Sequence, residues 1–499
     1  MKDKKITLTK ESSASFTNNA AFCVGTGRMG LALHKEYLDQ LKKAQELAQF
    51  KHIRGHGLFC DDMAIYQPYT DADGIEHEAY NFTYLDRVVD SYLELGIKPF
   101  LELGFMPKRI ANGKQTIFYW EGNTTPPADD TKWTALVRAT LAHLAGRYGY
   151  DEVSAWPCEV WNEPNLPGFW ENADKEKYLH LYEITARTVK EVLPGMRVGG
   201  PAICGGMGSQ EWVDDFLRFC RDNQVPLDFV TRHAYMGQTP ERKGKYLYHE
   251  MCAVEYTYQE MAETRRIIDS YPEYRGMEMH ITEFNTSYNP LCPIHDTNLN
   301  AVYIAGLLSC LGDVAASYSY WTFGDVFEEC GVPTRPFHGG FGMIANDLIL
   351  KPTMWTFAFF SRLKGAPVWR DDSTVMVRNA DGSYEGVCWN LSRTERDALQ
   401  IEIALPDDGE YTLLTSTVDE ECCNPLKIWH EMGEPASLTK EELAFLRTAA
   451  QPANASKIIG AGEKAELTLA PNALVWFKLR PYKPNTEYGY EYDWYRQHS

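Results

Sequence analysis

Ala155-Trp156-Pro157-Cys158-Glu159-Val160-Trp161-Asn162-Glu163-Pro164 reads as a buried strand over residues 155–161 that ends in polar side chains. Adjacent strand residues face opposite sides, so Asn162 and Glu163 can serve one pocket only where the strand is ending. Pro164, which donates no ladder hydrogen bond, helps end it there. Before this strand, Trp133, Leu136, Val137, Thr140, Leu141 and Leu144 recur at three- and four-residue steps up to Gly146, the period of an amphipathic helix. After it, Leu181, Ile184, Thr185, Val189 and Val192 repeat the pattern until Pro194-Gly195 stops it. Up to about residue 345 the chain keeps this alternation, which builds a parallel sheet wrapped by helices. The strand candidates are 21–24, 52–56, 99–103, 155–161, 196–201, 229–233, 278–282 and 318–322. Eight strands close a barrel, whereas an open doubly wound sheet would need a switch point.

Past Lys351 a helical run (354–363) gives way to the alternating segments 374–378, 385–390, 399–403, 411–416, 465–469 and 473–479. These read as antiparallel strands of a compact sandwich, interrupted by a charged helical insertion at 439–448. A Tyr-rich tail from Tyr482 is expected to lie on another surface. The expected fold class is α/β: a (β/α)8 TIM barrel with a second, smaller β-sandwich domain.

A chain of 499 residues, 44% hydrophobic and 13% aromatic, can bury a large core beside a smaller one. Its formal charge of −20, from 69 acidic against 49 basic residues with no basic cluster, argues against nucleic acid or an anionic membrane as partner. The start, MKDKKITLTKESSASF, has no apolar run behind its basic residues, and no later stretch approaches about 20 uninterrupted apolar residues. A cytoplasmic location is expected. Twelve cysteines without any Cys-x-x-Cys spacing read as reduced thiols. The adjacent Cys422 and Cys423 lack a second pair at ligand spacing, so no metal is expected.

In a barrel the working residues sit at the carboxyl ends of the strands. The polar side chains falling there are His56, Glu102, Asn162 with Glu163, His233 with Tyr235, Glu283, and Trp321 with the pair Glu328 and Glu329. A carboxyl group at Glu163 can protonate a glycosidic oxygen while Asn162 bonds a sugar hydroxyl. Glycosidic cleavage also needs a second carboxylate, and Glu283, in His280-Ile281-Thr282-Glu283-Phe284-Asn285, ends the seventh strand candidate. Glu278 lies at the amino end of that strand with opposite parity, which suits the bottom face. Glu159 matches Glu163 in parity but sits deeper, as an internal polar residue in need of a partner. The two working carboxyls must hold unlike protonation states. An ionised Glu283 should raise the pKa of Glu163, and its esterification should let Glu163 act as base toward water.

Two motifs point elsewhere. Gly25-Thr26-Gly27-Arg28-Met29-Gly30 fits the spacing that binds NAD or NADP, yet the second strand ends in Ile53-Arg54-Gly55-His56-Gly57 instead of an acidic residue. A tight glycine turn at a barrel strand accounts for the motif, and no cofactor is expected. His52 and His56 are four apart, but on a strand and without a third ligand nearby. On their own, His56 and His233 could bind sugar or simply pack, and Trp321 could be a stacking floor or part of the core.

Val24-Gly25-Thr26-Gly27-Arg28, HIRGHGLFCDDM (52–63), PFLELGFMP (99–107), WEGNTTPP (120–127), EVWNEPNLPGFW (159–170), ITEFNTSY (281–288) and YWTFGDVFEECGVPTRPFHGGFG (320–342) follow one another along nearly the whole chain. Together they resemble glycoside hydrolase family 39, specifically its β-xylosidases. The resemblance implies a retaining double displacement, with Glu163 as acid/base and Glu283 as nucleophile. It implies Asn162 at the 2-hydroxyl and His56, His233, Tyr235, Tyr288, Trp321 and Glu328 lining the terminal-sugar pocket, with Phe169 and Glu329 as looser matches. It also implies that the sandwich takes in the N-terminal segment, giving domains at 17–350 and at 1–16 plus 351–499.

The expected function is exo-release of terminal β-xylose from xylo-oligosaccharides or β-xylosides during xylan degradation. The family also acts on glucosides, arabinopyranosides and uronates. A uronate would want an Arg or Lys, and the Glu328-Glu329 pair should repel it. Another neutral glycoside, or a non-catalytic carbohydrate-binding barrel, is the alternative. Homo-oligomerisation is left open. One departure from the family pattern is glycine at the fourth position of Trp321-Thr322-Phe323-Gly324-Asp325, where a small polar residue is expected.

Overall fold

Eight parallel strands, Cys23–Arg28, His52–His56, Lys98–Leu103, Cys158–Val160, Val198–Ile203, Phe229–Tyr235, Glu278–Asn285 and Ser317–Tyr320, close into a barrel in chain order. The coordinates are a computed structural model that describes residues 2–206, 208–235, 237–392 and 397–498. Met1, Met207, Met236, residues 393–396 and Ser499 belong to the expected barrel and sandwich segments and lie outside the described residues. The strands are buried on both faces, as a parallel sheet inside a helical shell must be. Helices Asp130–Tyr148 and Lys175–Val192 flank the fourth strand and bury the apolar stripes read from their periodicity. Asp129, Asp174 and Thr297 cap three of the shell helices by accepting backbone N–H bonds.

Some strand limits differ from those expected. The fourth strand is only Cys158–Val160, because Tyr150–Ser154 is helical and Pro157 cannot donate to a ladder. The seventh runs on to Asn285, so Glu283 lies within it. The glycines at 25 and 27 form no turn. Both lie inside the first strand, where a Cβ on Gly25 would meet the Trp321 ring at 2.5 Å and one on Gly27 would meet Phe327 at 3.0 Å. Close approach of the eighth strand and its following loop, not a phosphate, explains that motif.

The second module pairs a six-stranded sheet, in the order Ala366–Arg370, Thr374–Arg378, Tyr384–Trp389, Leu474–Pro481, Tyr411–Val418, Ala453–Ile459, with a three-stranded one. In the latter, Lys2–Thr7 runs parallel to Leu399–Ala404, which pairs antiparallel with Ala465–Leu469. Ile6, Met376, Ile401, Leu413 and Phe477 fill the space between the sheets. Strand Ala453–Ile459 escaped the sequence reading because its side chains are almost all exposed and carry no apolar alternation. Helix Pro352–Phe360 is buried on every side; its Trp355 Nε1 donates to Ala450 O, and Phe360 packs near Trp389. The tail side chains Tyr488, Tyr490 and Tyr492 stand in solvent. All twelve cysteines are free thiols, and among the described residues no helix is long and apolar enough to cross a membrane.

Candidate active site

The fourth strand stops at Val160, and the next residues leave strand geometry at once: φ is +71° at Trp161 and +45° at Glu163. Left-handed backbone at non-glycine residues is costly and needs a surrounding structure that holds it. Here Glu163 N donates to Ala202 O and Trp161 Nε1 to Phe169 O. Side-chain alternation is thereby broken, and Asn162 and Glu163, though adjacent, both line one cavity. On the seventh strand a register shift opposite Arg232 and His233 inserts Thr282 as an extra residue. Such a bulge re-aims side chains. Thr282 Oγ1 reaches down to Glu159 Oε1 (2.9 Å) while the next residue, Glu283, faces the cavity.

Arg54 joins these elements. Fully buried on the second strand, it donates from Nε to Glu159 Oε2 (2.6 Å), from Nη1 to Glu283 Oε1 (2.7 Å) and from Nη2 to Asn162 Oδ1 (2.9 Å), and it sits 2.8 Å from Glu102 Oε2. Glu159 thus finds its partner in Arg54. With Oδ1 of Asn162 occupied, the part of that amide left for a sugar is its N–H pair. Tyr235 OH donates to Glu283 Oε2 (2.7 Å), and His56 Nε2 is 3.5 Å from Glu283 Oε1. His233 Nδ1 lies 2.7 Å from Glu163 Oε1; as the Nδ1–H tautomer it donates there, leaving Oε2 to carry a proton. Carboxylate oxygens of Glu163 and Glu283 and a ring nitrogen of His233 all fall within 4.8 Å of one another.

Burial pushes both carboxyls up, but not equally. Glu163 is raised well above the usual range by burial and then by the charge on Glu283. Burial also raises Glu283, yet the Arg54 guanidinium and the Tyr235 hydroxyl oppose it, so Glu283 ionises first. Burial lowers the imidazole of His56 to about 3 and that of His233 well below its ordinary value, so both rings are neutral at the site. Among the described residues, Glu163, His233 and Glu283 form the one group with metal-ligand spacing. Their ligand atoms already bond one another, Tyr235 and Arg54, and the guanidinium repels a second cation there.

The cavity measures about 1050 Å³. His56, Trp321 and Glu329 line it beside the carboxyl pair, and Phe169 and Tyr288 line it farther out, Tyr288 half exposed. His233 lies beneath it, against both glutamates. Glu328 does not reach it. Its Oε2 is 2.6 Å from Arg28 Nη2, and Arg28 also pairs with Asp62. The expectation that Glu328 lines the pocket is therefore corrected: of that pair, Glu329 faces the cavity, with His56 Nε2 at 3.9 Å. Gly324 is not in the wall either; a Cβ there would sit 2.1 Å from Gln40 Oε1, which explains why the small polar residue is missing. Sequence reading also missed Arg54 itself, and Phe118 and Tyr256 in the wall. Its signal was parity: Arg54 shares a strand face with His56.

Tyr235→Phe removes a donor from the Glu283 carboxylate without changing shape. The acidic limb of the kcat/KM profile is expected to move to higher pH and activity to fall by about tenfold or more. A pH series on the variant checks this; an acidic limb that stays put or moves down would remove Glu283 as the group titrating there.

A model of glycosyl hydrolases family 39 matches residues 4–461. The chain is 47% identical over 451 residues to a beta-xylosidase of Geobacillus stearothermophilus, covering 89% of each protein. It is 34% identical over 441 residues to a beta-xylosidase of Caldicellulosiruptor saccharolyticus, covering 86% of this chain and 88% of that one. Among solved structures, a monomeric beta-xylosidase from Caulobacter crescentus CB15 matches with a TM-score of 0.88 at 30% identity, over 96% of this chain and 100% of that one.

Proposed function

The chain belongs to glycosyl hydrolases family 39, and from that membership we propose that it is a retaining exo-β-xylosidase releasing terminal xylose from short xylo-oligosaccharides or β-xylosides. The observation that carries the mechanism is the approach of Glu163 and Glu283 oxygens to within 4.8 Å. Retaining sites hold their carboxyls about 5–5.5 Å apart, whereas inverting sites leave about 6.5–9.5 Å for a water molecule.

In the first half-reaction Glu283, ionised beside Arg54, attacks the anomeric carbon while Glu163 gives its proton to the departing oxygen. The C–O bond to the aglycone breaks as the ester bond to Glu283 forms. Esterification removes the charge that raised Glu163, whose pKa then falls, so in the second half the same carboxylate takes a proton from water as the water oxygen bonds the anomeric carbon and the ester bond to Glu283 breaks. Asn162, held by Arg54, binds the 2-hydroxyl beside the reacting carbon. Trp321 and His56, 4.6 Å apart between ring centroids, form the apolar and polar sides of the sugar floor. Glu329, which burial and the neighbouring carboxylates raise well above the usual range, can donate as well as accept toward a hydroxyl.

Among the described residues lining the cavity there is no Lys or Arg for a uronate carboxylate, which favours a neutral sugar. Twelve free thiols support a reducing compartment, and with it a cytoplasmic site of action. Labelling with a 2-deoxy-2-fluoro-β-xyloside followed by peptide mapping tests the reading. One equivalent of label on the Glu283 peptide is expected. Labelling of another carboxylate, or efficient cleavage of a different aryl glycoside with no xyloside turnover, would overturn it.

A further inference from the structure

The motif Phe337-His338-Gly339-Gly340-Phe341-Gly342 takes no part in the chemistry described, yet three of its glycines are sterically required. A Cβ on Gly339, whose φ is +76°, would sit 2.6 Å from the Cys292 backbone. One on Gly340 would sit 2.4 Å from Asp325 Oδ1, and one on Gly342 would sit 2.4 Å from the Gly324 carbonyl carbon. The chain is drawn this tightly around a buried cation. Lys351 Nζ, with no exposed surface, lies 2.6 Å from Asp296 Oδ1 and 2.6 Å from Asp325 Oδ2, and it donates to Gly340 O at 2.9 Å. The other oxygens of the two aspartates accept from Gly339 N and Gly342 N, each at 2.7 Å. Burial opposes the lysine charge, but the two carboxylates outweigh it and keep the ammonium protonated.

We propose that Lys351, Asp296 and Asp325 form a positioning clasp that sets the glycone floor by holding both ends of the loop from Trp321 to Ile344. This rests on the reading of the cavity as a xylose site. Asp325 is four residues after Trp321, and its N–H donates to Ile344 O, so the clasp grips the loop at its root. Gly340 and Gly342 bracket Phe341. That ring packs edge-on against Phe327 at 5.3 Å, and Phe327 packs edge-on against Trp321 at 6.1 Å. Trp321, Glu329 and Phe341 all line the cavity from this one loop. Glu163 and Glu283 sit on other strands and have their own partners. The clasp acts through the floor, not on the reacting atoms. Fully desolvated, it is insensitive to salt screening.

The test is Lys351→Met in the full-length enzyme, with active sites counted by the 2-fluoro-xyloside. KM for an aryl β-xyloside and the inhibition constant for free xylose are expected to rise by the same factor, about tenfold, with a smaller loss in kcat per titrated site. Both limbs of the pH profile should stay in place. Removing one partner strands buried charges, so Lys351→Met could fail to fold. The triple variant Lys351→Met/Asp296→Asn/Asp325→Asn keeps the acceptors for Gly339 and Gly342 without any buried charge and carries the same expectation. A folded variant whose KM and xylose inhibition constant stay within about twofold of wild type would overturn the clasp, even with a lowered melting temperature. Wild-type turnover of the xyloside keeps that failure separate from a failure of the functional reading.

Discussion

Glu283→Gln is expected to reduce kcat on an aryl β-xyloside by about 10⁵- to 10⁶-fold, the scale on which loss of a nucleophile is felt when its partners remain. The amide keeps the shape of the side chain between Tyr235 and Arg54 but cannot form the ester that divides the reaction in two. A sharper form of the experiment uses Glu283→Gly with added azide. The small anion can enter the vacated space and attack the anomeric carbon directly, while Glu163 still protonates the leaving group. The product should be the α-xylosyl azide, inverted relative to substrate. Glu163→Gly with azide should behave oppositely: the ester on Glu283 forms slowly unless the leaving group is already good, azide then displaces it, and the product is the β-xylosyl azide. Product configurations assigned by NMR check both. The reverse pairing would exchange the two roles, and azide products of one configuration from both variants would remove the double displacement altogether.

Arg54→Met should cost less rate but also stability, for a reason that reaches beyond catalysis. Its guanidinium is the shared partner of Glu102, Glu159 and Glu283, all buried. Removing it strands buried carboxylates, a change that costs about 3–5 kcal/mol where one partner of a buried pair is lost. The rate should fall by about 10³-fold, because Glu283 would lose the donor that keeps it ionised and Asn162 the one that holds its amide. The pH dependence follows from linkage. Burial already holds Glu102, at about 8, and Glu283 above their unfolded values; without the cation both rise further, so the folded variant binds more protons than the folded wild type and its stability falls more steeply as pH rises. The melting-temperature deficit of the variant should therefore be largest at neutral and alkaline pH and shrink toward acid. A deficit that is constant, or larger in acid, would mean that Arg54 does not neutralise these carboxylates.

That Glu163 and Glu283 face the cavity was legible because barrel geometry makes position informative: side chains at the carboxyl ends of the strands gather at the mouth. Arg54 was hidden because an arginine inside an apolar strand is tolerated only with partners, and those partners come from residues up to 229 positions away. Glu328 and Glu329 could not be told apart by spacing alone. Arg28, on the first strand, draws Glu328 out of the cavity and leaves Glu329 in it. The glycine motif at residues 25 to 30, expected as a tight turn, is strand up to Arg28 instead, since what requires Gly25 is the Trp321 ring from the opposite end of the barrel sequence.

What the chain's own order of residues determined was local: helical and strand periods, the proline and glycine stops between them, the count of eight strands, and the strand ends where Glu163 and Glu283 stand. Those depend on neighbours a few positions apart, and backbone geometry transmits them directly. The tertiary structure alone decided which of the two carboxyls is raised further, which of two adjacent glutamates faces the cavity, and where Lys351 meets its two aspartates. Desolvation and charge–charge forces act over a few ångströms of space in a medium of low polarity, and only the closed barrel brings those groups within that range.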